Sequence, residues 1–371
     1  MSRFNTLLLS LIFSPCVTFF SPAFAQVPAI TEEQDALLKT LITQNEATVR
    51  KIESSPLYVD FSWHTTQTME LVSVGVGKAL SGAMVTDGRS KYWKHNGLFR
   101  QDQRMKHTWT DTGEIRERNT ITVLNDTYCA LYIEDGRQLQ LYRIDDRANL
   151  YPALNQVLET CPVPDIFEFG MRYSTTRSLR KAFEFEMLHE PPAFQWTPLE
   201  SSAAGRSQYT IKSDYITEGF ARPCSVTVLD PQCGFLVSES STFNEKGEAF
   251  YIVKTQFQDL GDGVWFPKSA TRSISERDEK MSLQVNEVHV GNLKVDEEFT
   301  LEAMGFDKEK AIMYEYSSRG RQRTVKGFWE GQWVPWEILP KERREAISEA
   351  QHEVESNVSG MKKPTLKEIE P

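Results

Sequence analysis

Apolar positions recur along the chain with two distinct periods, and the switches between them mark out its elements. From Thr31 the spacing is helical: Leu37, Leu38, Leu41, Ile42, Val49 and Ile52 form one stripe, and Thr31 with Gln34 makes a capping-box pair. The expected helix runs from about Glu32 to Glu53, ~32 Å long at the helical rise per residue, and Pro56 stops it. The period then becomes two, with Leu57, Val59, Phe61 and Trp63 on one face and Tyr58, Asp60 and Ser62 on the other.

Between Asn119 and Asp145, Asn125-Asp126 and Asp135-Gly136 separate alternating runs as two-residue hairpin turns. Those turns set Val123 opposite Tyr128 and Tyr132 opposite Leu139. Ile121, Val123, Tyr128, Ala130, Tyr132, Leu139 and Leu141 then share one face of a three-stranded meander. The other face, with Thr122, Cys129, Leu131, Gln138, Gln140 and Tyr142, is more polar, so one face is expected to be buried. Helical segments are expected from about Ala153 to Glu159 and from about Thr175 to Phe185, separated by Pro162 and Pro164. Strands resume with Cys224, Val226 and Val228, turn at Asp230-Pro231, and return through Phe235 and Val237. Ala249, Tyr251, Val253, Thr255 and Phe257 make a further two-residue face. Met281, Leu283 and Val285 alternate until the phase changes near Asn286, which predicts a bulge.

Sequential strands usually neighbour one another, so the expected fold is α+β: a curved antiparallel half-barrel sheet with helices packed on its concave side. Three stretches are expected: a signal peptide at 1–25, the half-barrel domain at 26–305, and a C-terminal extension at 306–371 with a short charged helix and a mobile tail. The signal peptide is read from Arg3, the mainly apolar run Leu7 to Phe20, and the small-x-small site Ala23-Phe24-Ala25. Cys16 lies behind Pro15 within the apolar run, so it does not read as a lipid acceptor. No later segment is long and apolar enough to span a bilayer, and the mature chain is expected to be periplasmic or secreted.

A net charge of −10 argues against a nucleic-acid partner. Cleavage would leave Cys129, Cys161, Cys224 and Cys233, an even number in a compartment where disulfides persist. At least one disulfide is expected, and spacing does not choose its pairing.

Residue chemistry excludes more than it assigns. Gly75-Val76-Gly77-Lys78 lacks both the earlier glycine and the following hydroxyl of a phosphate loop. The six histidines are scattered, and His189-Glu190 runs into Pro191-Pro192, so neither a metal site nor a cofactor is expected. No nucleophile elbow appears, and carboxylates such as Asp60, Asp102 and Asp214 form no evident acid/base pair. What stands out is the aromatic content of the strands. Phe61, Trp63, Tyr128, Tyr132, Tyr251 and Phe257, with Leu139 and Leu141, are either core or the walls of an apolar cavity for a greasy ligand.

Several motifs carry a family resemblance. They are the helix ending at Ile52-Glu53-Ser54, the strand through Trp63, Asp87-Gly88-Arg89, Asn96-Gly97, Gly263-Val264-Trp265-Phe266-Pro267, and Val295-Asp296-Glu297-Glu298-Phe299-Thr300. Their order over roughly residues 30 to 305 resembles the periplasmic outer-membrane lipoprotein carrier family, LolA-like. The resemblance implies a half-barrel closed by helices around a hydrophobic cavity, and a non-catalytic protein whose partner is an acyl chain, lipid or lipoprotein. The same fold could instead serve an envelope sensor or scaffold with a protein partner. A hydrolase of envelope material is the third reading, and would need convergent polar residues in a cleft.

Overall fold

The computed structural model describes residues 30–71, 80–134, 137–144, 164–171, 179–187, 194–203, 206–217, 220–291, 299–316 and 323–359. The expected signal peptide, the glycines at 75 and 77, the Asp135-Gly136 turn, the 153–159 helix, Cys161, His189 and the end of the tail lie outside these residues.

Helix α1 (Glu32–Ser54) starts on the expected capping box, with Gln34 N donating to Thr31 Oγ1 at 3.2 Å and Thr31 N donating to Gln34 Oε1 at 3.1 Å. Its apolar stripe is buried from Leu38 to Ile52. Eight strands pair in hairpin succession on either side of residues 144–193: β1 (Leu57–Leu71), β2 (Leu80–His95), β3 (Leu98–Trp109), β4 (Ile115–Leu124), β5 (Tyr128–Ile133), β6 (Gln138–Arg143), then β7 (Phe194–Ala203) and β8 (Arg206–Thr217). The series continues through β9 (Phe220–Asp230), β10 (Leu236–Phe243), β11 (Ala249–Asp259), β12 (Trp265–Ile274) and β13 (Glu279–Val290). It ends with β14 (Ile312–Tyr316), β15 (Arg323–Trp329) and β16 (Gln332–Pro335). Helix α2 (Leu179–Met187) precedes β7, and helix α3 (Lys341–Ser359) follows β16.

Among the described residues all sixteen strands form one open, curved sheet, ordered β16-β15-β14-β6-β5-β4-β3-β2-β1-β13-β12-β11-β10-β9-β8-β7. It is a half-barrel, and its two end strands do not meet. One pairing corrects the antiparallel expectation: β14 runs parallel to β6, with Leu139 opposite Met313. The reason is the connection, since strands so far apart in sequence join by a crossover rather than a hairpin. Proline stands in both edge strands, Pro198 in β7 and Pro335 at the end of β16.

The sheet has an inner, concave face and an outer one, and the register sorts residues between them. Phe61, Ser90, Gln103, Thr120 and Ile133 are successive partners from β1 to β5 and share the inner face. Asp60, Lys91, Asp102, Ile121, Tyr132 and Leu139 form the adjacent row, on the outer face. Helix α1 packs on the inner face, with Val49 and Ile52 in the cluster that holds Phe61 and Trp63. Leu339 and Ile347 of the C-terminal segment pack against Gly327 of β15.

The predicted bulge is present. Asp60 pairs with Glu287 and Phe61 with Val285, so Asn286 is the extra residue. It keeps Met281, Leu283 and Val285 in phase with Trp63 on the inner face.

The meander differs in one register detail. Val123 pairs with Ala130 rather than Tyr128, because the tight turn falls on Asp126-Thr127, where Asn125 Oδ1 accepts from Thr127 N at 2.9 Å and Tyr128 N at 3.0 Å. The shift is two residues, so face assignments survive, and Tyr132 does pair with Leu139. The expectation that only one face of the meander is buried does not hold: Cys129, Leu131 and Tyr142, on the inner face, are buried as fully as Val123, Ala130 and Leu139 on the outer one.

Trp63 lies flat across β2 only because position 88 is glycine; a Cβ there would sit 2.1 Å from the indole. Gly88→Ala is expected to cost about 1–3 kcal/mol through overpacking, and pairing it with Trp63→Phe to recover part of that loss. Denaturant unfolding measures both; an unchanged midpoint for Gly88→Ala would contradict the close approach.

Candidate functional site

The eight candidate aromatic and aliphatic residues do not line one space. Phe61 and Trp63 are buried on the inner face with ring centroids 5.8 Å apart, and Tyr251 and Phe257 pack against the same cluster. Tyr132, Leu139 and Leu141 are buried with Phe299, Met304 and Met313, and Tyr128 packs at the margin of that cluster. This second set is on the outer face, one row from Phe61 and pointing the opposite way. The Tyr128 hydroxyl is tied down as an acceptor from Leu301 N at 3.0 Å.

The inner-face set is covered by a segment that periodicity did not single out. Residues Pro164–Met171 enter the half-barrel and bury Ile166, Phe167, Phe169 and Met171 against Phe61, Trp63 and Phe266. Asp165 caps a single 3₁₀ turn, Ile166–Glu168, by accepting from Phe167 N at 3.0 Å. Phe167 meets Tyr92 edge-on at 5.8 Å. Gly170, at φ +86°, lets the backbone pass over Phe257, where a Cβ would come within 2.6 Å of the ring. Its carbonyl accepts from Val237 N at 2.8 Å.

One polar side chain goes in with this plug. Glu168 is 5% exposed and accepts from Arg272 Nη1 at 3.2 and 3.1 Å, and from the Tyr251 hydroxyl. Arg272 turns its other edge to Glu279, donating from Nε at 3.1 Å and Nη2 at 2.6 Å. Burial, reinforced by Glu168, pushes the Tyr251 phenol far above its ordinary value, so it stays a donor. A buried pair of carboxylates around one guanidinium contributes little net stability but fixes geometry, because removing any member strands the rest. Here it fixes where the plug sits.

The outer face carries a different feature. Segment 304–310 overhangs β2–β5 and leaves a cavity of about 620 Å³. Its floor includes Arg89 and Arg104, and Tyr132 with Phe306 forms one wall, stacked at 4.8 Å. Arg89 is positioned by the buried Asp60, donating from Nε at 2.9 Å and Nη2 at 2.5 Å, while Asn286 of the bulge donates to the same carboxylate at 3.1 Å. No histidine, cysteine or serine lines this cavity; its polar lining is of arginine, lysine, carboxylate, amide and threonine side chains together with Tyr132.

No disulfide joins any two of Cys129, Cys224 and Cys233, and the fourth cysteine, Cys161, lies outside the described residues. The reason for Cys129 is its place: it is sealed inside the sheet, and burial pushes its thiol up to about 12. Among the described residues no cluster of three or more His, Cys, Asp or Glu is placed to hold a metal ion, and no helix is long and apolar enough to cross a membrane.

No protein-family model and no curated protein matches the chain. Solved structures similar to it include a DUF1329 family protein from Desulfovibrio piger, at 13% identity over 72% of this chain and 98% of that one, with a TM-score of 0.34. A putative outer membrane lipoprotein-sorting protein domain from Vibrio parahaemolyticus shares 7% identity over 72% of this chain and 100% of its own, with a TM-score of 0.34. A LolA superfamily protein from Nitrosomonas europaea shares 10% over 71% and 98%, with a TM-score of 0.33. At such identities and scores no residue role passes from those proteins to this one.

Two outcomes test the site's ionic framework. Arg272→Met is expected to cost about 3–5 kcal/mol by stranding two buried carboxylates, and replacing Glu168, Arg272 and Glu279 together by apolar residues to restore most of it; a harmless single change would show that the network does not hold the plug. The Arg89 guanidinium holds the Asp60 carboxyl below the usual carboxylate range, against the opposing effect of burial. Because that folded value is depressed, the pair's contribution is complete above the ordinary range and is lost as pH falls through the folded value. Asp60→Asn should therefore flatten the acid limb of stability below about pH 4, checked by denaturation across pH; identical limbs would exclude Asp60 from the acid response.

Proposed function

We propose that the protein is an exported carrier or chaperone, not an enzyme, that holds an acyl chain, lipid or lipoprotein on the concave face of the half-barrel. The plug carries this reading. Four apolar side chains on a short segment, positioned on the sheet by one ionic cluster, occupy an aromatic trough as a greasy ligand would. Burying four such side chains is worth roughly 6–12 kcal/mol, and an acyl chain of about 14 methylenes gains ~11 kcal/mol. The two occupants are close in energy, so one can replace the other while the sheet stays paired. Phe61, Trp63, Tyr251 and Phe257 would be the wall that either one touches; Tyr128, Tyr132, Leu139 and Leu141 support the sheet from behind. Release then requires a partner offering an equally dry site. Export, read from the N-terminal residues, places this exchange in the envelope or outside it.

Titration with a fluorescent fatty acid tests the proposal, together with native mass spectrometry after mild extraction. Saturable binding and a co-purifying acyl ligand are expected, with Phe169→Ala binding several-fold more tightly because its plug is easier to displace. Protein that purifies empty, with neither form binding the probe, overturns the reading.

A further inference from the structure

We propose that the outer-face cavity is a second binding site, for an organic phosphate: a phosphate group carried on a small hydrocarbon or sugar-like body. The proposal stands apart from the acyl reading, since this cavity is on the opposite side of the sheet.

The first observation is an opposed pair of like charges. Arg89 of β2 and Arg104 of β3 are register partners on the outer face, and like charges directly opposite across two strands repel. Lys91 stands on the same face one row away. In a chain of net charge −10, this clustering runs against the overall balance. Among the described residues neither Lys91 nor Arg104 forms an ion pair, whereas Asp102 is engaged by Arg100 through two contacts of 2.8 Å. Arg137 and Lys310 also line the cavity, with Asp102, Glu134 and Asp307; Lys310 pairs with Asp307 at 3.2 Å and Arg89 with Asp60, so Lys91 and Arg104 carry the uncompensated charge on the floor.

The second observation is preorganisation. Asp60, itself held by Asn286, engages one edge of the Arg89 guanidinium, yet the Arg89 side chain is 60% exposed. A guanidinium fixed along one edge and open along the other presents a planar fork to an oxyanion, the geometry that suits phosphate. A bridging dianion between Arg89 and Arg104 would turn their repulsion into two charge-assisted contacts.

The third is size and chemistry. About 620 Å³ far exceeds a bare phosphate, and the Tyr132–Phe306 stack with Ile121 offers an apolar wall beside the cations. A phosphate ester meets both surfaces. Its source is either the headgroup of a lipid or a water-soluble ester, and the two share this chemistry.

The test uses the full mature chain at low salt, with calorimetric titration of glycerol 3-phosphate and co-sedimentation with phosphatidylcholine vesicles with or without phosphatidic acid. Binding of either probe is expected, weakened by salt and by about tenfold or more in the Lys91→Gln/Arg104→Gln double variant. Both positions are solvent-exposed, and an unchanged unfolding midpoint in the variant keeps the comparison valid; Arg104→Lys should retain intermediate binding. Binding of the soluble ester alone assigns a free metabolite-like ligand, and binding of anionic vesicles alone assigns a lipid headgroup. Failure of the wild type to bind either probe, or equal binding by the double variant, overturns the proposal. Fluorescent fatty-acid binding should be the same in wild type and variant, so loss of one site is distinguishable from loss of the other.

Discussion

The strict alternation of side chains across β1, held in step with both neighbours, is the constraint on which the molecule depends. β1 lies in mid-sheet between β2 and β13, and each of its residues sets the face of a row that crosses many strands. Phe61 and Trp63 direct their rows inward; Asp60 directs its row outward. A slip of one residue would exchange the two faces entirely. The bulge at Asn286 absorbs the one place where β13 would fall out of step, and its side chain is used at once, as a donor to Asp60. One irregular residue therefore serves the apolar interior and the charged exterior together.

The interior shows how stability and specificity are divided. Apolar burial by Ile166, Phe167, Phe169 and Met171 attaches the plug without selecting its position, since dispersion and solvent exclusion are non-directional. The Glu168–Arg272–Glu279 cluster, with Tyr251, selects position at little net gain. Under the proposed function, an element held in that way is well placed yet replaceable. A plug secured by ladder hydrogen bonds along its length would be neither easily moved nor easily imitated by a lipid.

Much of this was legible in the sequence wherever the cause is local. The capping box of Thr31 and Gln34, the alternation from Leu57 to Trp63, the Tyr132–Leu139 pairing and the phase change at Asn286 all follow from contacts within a few residues. The register of Val123 was not, because Asn125 uses its side chain to cap the turn and so moves the tight pair one residue along. Two further features depend on which strands become neighbours. The eight candidate residues divide between two faces, and Arg89 meets Arg104, only once β1 to β6 are laid side by side. The plug has no sequence signature because Pro164–Met171 is too short to show a period and turns one of its two carboxylates, Glu168, inward. The parallel joining of β14 to β6 has no local sign at all.

The prolines in the two edge strands bear on how the chain meets other molecules. An open sheet normally offers its outermost backbone as a template for an incoming strand. Pro198 removes an amide from within β7, and β16 is only four residues long and ends on Pro335, so neither border can be extended over any length. Edge-to-edge joining of copies is thereby disfavoured, which leaves the two faces of the sheet, rather than its rims, as the surfaces open to another molecule.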